Sequence, residues 1–158
     1  MIDRDTGALV LPDGRIEREL TRSSLLSSLL AKGTRSEDMQ TGWAQVYLKP
    51  RRLGGREFGV HLVFEGERLD SYALSLHDPQ YGTSWDDWSE AKELARRNAH
   101  DAWLEAGLGK GKSEGAGRAR ELRYTFPWGR VWSSFDPKGG ASSIGVRFRR
   151  LEEATRVR

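Results

Sequence analysis

Apolar residues along the chain follow two different periods, and the switches between them mark the elements. Residues 43–48 (Trp-Ala-Gln-Val-Tyr-Leu) have strand composition and run up to Pro50; Phe58, Val60, Leu62 and Phe64 then alternate with Gly59, His61 and Val63. Side chains two apart share one face of a strand, so this alternation predicts a half-buried strand. The compact Glu65-Gly66-Glu67 leads into residues 68–76, where Tyr72, Leu74 and Leu76 share a face, and the two runs predict a hairpin. Residues 123–126 and 129–135 read as strand interrupted at Pro127, and 136–140 (Asp-Pro-Lys-Gly-Gly) as a tight turn. Residues 143–149 alternate again, with Ile144, Val146 and Phe148 inward and Gly145, Arg147 and Arg149 outward.

Helical spacing is found in two places. Thr21 can cap a short helix whose apolar positions are Leu25, Leu26, Leu29 and Leu30, with Gly33 as a stop signal. Ser84 followed by Asp87 has capping-box spacing, and Asp86, Asp87 and Glu90 suit the positive end of a helix dipole. Trp88, Ala91, Ala95, Ala99, Ala102 and Ala106 then recur at steps of three and four until Gly107. This spacing predicts a helix laying its alanines on a sheet, with Trp88 and Trp103 as anchors.

A short strand at 8–11 opens the chain before the turn at Pro12, Asp13 and Gly14, residues 34–41 lack a period and read as a loop, and 107–120 form a mobile loop rich in Gly, Lys and Arg. The predicted order is β-α-βββ-α-βββ: an α+β fold with an antiparallel sheet and two helices packed on one face. One domain is expected over 1–150, with a flexible tail at 151–158.

Composition narrows the function classes. The chain has 158 residues, 26 Lys and Arg against 23 Asp and Glu, and no cysteine, which excludes disulfides and thiolate chemistry. No apolar run approaches the roughly 18 residues of a membrane span, and the polar N-terminus has no signal-peptide core, so a cytoplasmic location is expected. Charge is uneven: 14 basic against 18 acidic residues through position 106, and 12 against 5 beyond it. Such a split serves an acidic partner, or lets the two halves attract one another.

Catalytic chemistry finds little support. His61, His77 and His100 have no ligand spacing, so no metal and no cofactor is expected. No Gly-x-Ser-x-Gly elbow is present, and the glycine-rich segment follows a helix rather than a strand, which removes the phosphate-loop reading. A small hydrolase remains a distant third class. Nucleic-acid binding stays open: Lys110, Lys112, Arg118, Arg120 and Arg123, with the later arginines and Tyr124, Trp128, Trp132 or Phe135, can form a basic sheet bearing stacking rings.

Six tryptophans are present, two of them, Trp85 and Trp128, in turns. Trp and Arg are the residues of interface hot spots. The candidate partner-binding residues are therefore Trp85, Asp86, Asp87, Trp128, Arg130, Arg147 and Arg149.

Residues 81–90 (Tyr-Gly-Thr-Ser-Trp-Asp-Asp-Trp-Ser-Glu), the helix from Ala91 to Leu104, and the run from Phe126-Pro127-Trp128-Gly129-Arg130 through Ser142-Ser143-Ile144 carry a resemblance. They resemble small uncharacterised bacterial proteins, some of which look like cognate immunity proteins of secreted polymorphic toxins; the likeness spans about residues 56–149. It carries no catalytic motif. It implies a small, cytoplasmic, non-enzymatic protein that binds a protein toxin and masks its active site.

Overall fold

The computed structural model describes residues 1–151. Strands β1 (Leu9–Leu11) and β2 (Gly14–Ile16) form a separate hairpin about Pro12 and Asp13. Helix α1 (Arg22–Leu26) follows, then β3 (Arg35–Asp38), β4 (Trp43–Leu53), β5 (Arg56–Glu65) and β6 (Arg68–Leu76). Helix α2 (Glu90–Leu108) leads to β7 (Lys112–Glu114), β8 (Glu121–Phe126), β9 (Gly129–Asp136) and β10 (Ala141–Phe148). Strands β3 to β10 make one antiparallel sheet in the order β3-β4-β5-β6-β10-β9-β8-β7. The fold is α+β with an antiparallel sheet, as the periodicities predict.

Between its two edge strands, β3 and β7, one face of that sheet is buried. Val46, Phe58, Leu62, Tyr72, Leu74, Ile144 and Val146 are inaccessible or nearly so, and Leu25 of α1, Leu104 and Leu108 of α2 and Leu9 of the hairpin join the same core. The expected alternation at 58–64 and 143–148 therefore holds, and β5–β6 and β9–β10 are antiparallel hairpins, the first with a register shift between Val63 and Phe64.

Several boundaries differ from the expectation. The segment 34–41 contains β3, whose four residues are all exposed; a charged edge strand has no apolar period to read. Strand β4 does not stop at Pro50 but runs to Leu53 across a bulge between Leu48 and Arg51. A proline lacks the ladder donor, and the bulge removes the need for one. The segment 107–120 holds edge strand β7 and a 3-10 turn at Gly117–Ala119, tied to α2 where the guanidinium of Arg97 donates to the carbonyls of Gly117 and Arg118, each at 3.1 Å. Thr21 caps α1 as expected, accepting from the backbone N–H of Ser24, yet Leu26 and Leu29 are exposed and only Leu25 and Leu30 reach the core. The expected tail lies, from residue 152 on, outside the described residues.

Helix α2 is the largest correction. It starts at Glu90 with Ser89 as its cap, while Ser84 and Asp87 form their capping box on a separate 3-10 turn, Trp85–Asp87. It runs past Gly107 to Leu108, and Gly109 (φ 84°) ends it. Four of the five alanines do not face the sheet: Ala91, Ala95, Ala102 and Ala106 are exposed, only Ala99 packs partly buried against the core, and the buried residues are Glu93, Arg97, His100, Leu104 and Leu108. The cause is what lies beneath. Strand ends and loops there leave backbone groups without ladder partners, and such groups must find polar ones. The backbone N–H of Leu76 donates to His100 Nε2 at 2.9 Å, and that of Ser142 donates to Glu93 Oε2 at 2.8 Å.

Candidate functional site

Two surfaces gather the residues that can engage a partner. The first is the corner built by the 3-10 turn Trp85–Asp87. The backbone N–H groups of Ser84 and Thr83 donate to Asp87 Oδ1 at 2.9 and 3.0 Å, and these bonds hold its carboxyl below the usual range. Asp87 thus organises the turn, while Asp86 stands exposed beside it. Trp85 is 75% exposed, the largest exposure of any tryptophan here, and its ring lies 6.0 Å from that of Trp88. Trp88 is itself fixed, because its Nε1–H donates to the carbonyl of Gly140 at 2.6 Å. Gly140 sits at φ +65°, and a Cβ there would meet both indoles at 3.2 to 3.4 Å. Between these groups lies a cleft of about 460 Å³, with Gly59 and Ser75 of the sheet on one side and Glu93 and Arg96 of α2 on the other. The Arg96 guanidinium bonds Glu93 at 2.6 Å and the carbonyls of Tyr81 and Gly82 at 3.0 Å, so it ties the corner to the helix.

The second surface is the outer face of the sheet. Register places Arg35, Tyr47, His61, Ala73, Gly145, Trp132 and Arg123 in one row across seven strands. Tyr47 and His61 stack with centroids 4.4 Å apart and planes 3° from parallel, and the Arg35 guanidinium lies 4.3 Å from the Tyr47 ring. Burial lowers the His61 pKa. Further along, Trp132 covers Gly145 so closely that a Cβ there would sit 2.3 Å from the indole. In the neighbouring row Arg147 pairs with Arg130, whose guanidinium lies 5.1 Å from the Trp132 ring. Arg130, Arg147 and Arg149 together line a shallow cavity of about 300 Å³.

The expected binding residues thus fall into two groups: Trp85, Asp86 and Asp87 at the corner, and Arg130, Arg147 and Arg149 on the outer face. Trp128 joins neither and is a correction. It is 7% exposed, its Nε1–H donates to the carbonyl of Arg4 at 2.8 Å, and its ring stacks on Phe126 at 5.0 Å. The N-terminal residues fold over a turn that local sequence leaves open. Tyr124 and Phe135 are likewise buried, so Trp132 alone of the four expected stacking rings reaches the outer face.

Charge separation along the chain is partly resolved by folding. Arg118 pairs with Glu90 at 2.9 Å, Arg120 with Asp101 at 2.6 Å and Arg150 with Glu65 at 2.9 Å, each joining the basic third to the acidic remainder. Sequence reading gave no role to Tyr47, His61 and Arg35. The signal was present in 43–48, where Gln45 and Tyr47 alternate with Ala44, Val46 and Leu48, but a tyrosine in a strand reads as core.

Among the described residues no group of three or more His, Cys, Asp and Glu is placed to hold a metal ion, and no helix is long and apolar enough to cross a membrane. No family model matches the chain, and no curated protein does. A solved structure does: the chain is similar to one described as Rhs1-CT in complex with cognate immunity protein RhsI1. The match has 13% identity and a TM-score of 0.55, and it covers 99% of this chain and 93% of the other. At that identity the likeness establishes a shared fold, found in a complex between an immunity protein and its cognate partner.

Proposed function

We propose that this chain is a non-enzymatic, cytoplasmic protein that binds a cognate protein toxin and neutralises it by masking its active site. The observation that carries this reading is the likeness over 99% of the chain to a structure of an immunity protein with its partner. The surface agrees with it. A tight inhibitor needs rigid aromatic and arginine anchors on a preformed scaffold, and Trp85 braced by Trp88 and Gly140 is such an anchor. Both candidate surfaces are held by secondary structure and hydrogen bonds, so little ordering cost falls on binding.

The test is to co-express the chain with the product of the gene beside its own and follow growth and complex formation. A stoichiometric complex that survives 0.5 M salt, where screening acts beyond about 4 Å, together with rescue of growth, is the expected result. Growth arrest that the chain does not relieve, with no complex on purification, refutes the reading.

A further inference from the structure

The inner face of the sheet is covered by α1, α2 and the β1–β2 hairpin, while no helix or strand of the described residues crosses its outer face. Resting on the immunity reading, we propose that this outer face, continuous with the Trp85 corner through Ser75, which also lines the corner's cleft, is the docking surface and that it receives an acidic patch of the toxin at its arginine end.

Three observations lead there. First, the centre of the face is flat. Ser71, Ala73, Ser75 and Ser143 are half-buried small residues on adjacent strands, so a partner can approach the backbone closely. Second, the face has a rigid aromatic anchor beside this floor, since Trp132 is seated on Gly145 and flanked by Arg130.

Third, the charge at one end is unspent. Arg118, Arg120 and Arg123 each have a carboxylate within 2.9 Å. Arg130 and Arg149 have none within ion-pair distance among the described residues, and Arg147 reaches Asp70 only at 3.7 Å. Among the described arginines of the basic third, those without a close carboxylate are therefore Arg130, Arg147 and Arg149, and they lie together. Complementary charge of this kind speeds encounter and selects the partner.

The partner is a protein rather than a nucleic acid. A polyanion tracks a continuous basic groove with a series of stacking rings. Here Arg130, Arg147 and Trp132 form one local patch, separated by β10 and β6 from the next outer-face rings, His61 and Tyr47, and the exposed carboxylate of Glu65 lies 2.9 Å from Arg150 at its border. A localised acidic patch on a toxin fits the patch alone, whereas a phosphate backbone running past it meets Glu65.

The experiment compares Arg130→Glu/Arg149→Glu with Lys32→Glu/Lys110→Glu, a control with the same charge change at exposed positions off the face. Binding partner is the product of the neighbouring gene, with association rates measured at about 25 and 500 mM salt and folding checked by circular dichroism. The arginine variant should associate about tenfold or more slowly at low salt, with the gap narrowing at high salt and the control staying within about twofold. Equal rates for the two variants overturn the proposal while wild-type binding leaves the immunity reading intact. Absence of wild-type binding overturns both. A duplex oligonucleotide that binds wild type and is lost in the arginine variant, with toxin binding unchanged, overturns it in favour of nucleic acid.

Discussion

Glu93 and Ser142 hold each other twice: the Ser142 backbone N–H donates to Glu93 Oε2 at 2.8 Å, and the Ser142 hydroxyl donates to the Glu93 carbonyl at 2.6 Å. Both residues are buried, and Arg96 completes the group from the same helix turn. This clamp fixes α2 to the start of β10, and through Arg96 it also fixes the Trp85 corner. Removing one member of a buried charged network costs about 3–5 kcal/mol. Glu93→Ala should therefore lower unfolding free energy by roughly that amount in urea titration. A loss within the ±0.5 kcal/mol range of ordinary surface changes contradicts the clamp.

His100 gives the fold a pH dependence. Burial, with Arg96 and Arg56 adding repulsion, pushes its pKa down to about 3 from the ordinary 6.5. The folded state thus keeps the neutral ring, whose Nε2 accepts from Leu76, while the unfolded state takes up a proton below pH 6.5. Stability from this group is complete above pH 6.5 and is lost as the pH falls from there toward 3, at up to about 1.4 kcal/mol per pH unit. His100→Gln should remove that slope, so the stability gap between wild type and variant narrows from pH 7 to pH 4.5. Parallel stability curves would falsify the assignment.

Trp132 and Gly145 make a contact that a single methyl disrupts. Gly145→Ala places a Cβ 2.3 Å from the indole, which must shift. Overpacking of this kind costs about 1–3 kcal/mol. Trp132→Ala should relieve most of that cost, giving a double-mutant coupling of about 1 kcal/mol or more; additive effects contradict the contact.

How far the sequence foretells this fold depends on which physics holds each element. Strands with one wet face and one dry face announce themselves, so β5, β6 and β10 are legible. Strand β3 carries Arg35, Ser36, Glu37 and Asp38 with no buried side, and hydrophobic pattern is blind to it. Helix α2 misleads more deeply. Its buried residues include Glu93, Arg97 and His100, so apolar spacing selects the alanines, four of which face solvent. The site divides in the same way. The exposure of Trp85 follows from its place in a polar turn, whereas the burial of Trp128 depends on Arg4 and Gly7, more than a hundred residues away.

Trp128 and Trp85 should consequently respond in opposite ways to truncation. Trp128→Ala removes a core ring and should cost about 3–5 kcal/mol of stability. Trp85→Ala should leave stability within about 0.5 kcal/mol and weaken toxin binding by about 2 kcal/mol, roughly 30-fold. Thermal melts and calorimetry on the same preparations check both. A destabilised Trp85→Ala, or one that binds as wild type does, contradicts the placement of the anchor.

The central claim is tested most directly by titrating the purified chain into the purified product of the neighbouring gene, following heat of binding and residual toxicity in the same samples. The account predicts saturation at a fixed stoichiometry, with toxicity vanishing at that equivalence point, and weaker binding and weaker neutralisation together in Trp85→Ala. Toxicity that persists with the chain in excess, or an absence of binding heat across the titration at several temperatures, contradicts it.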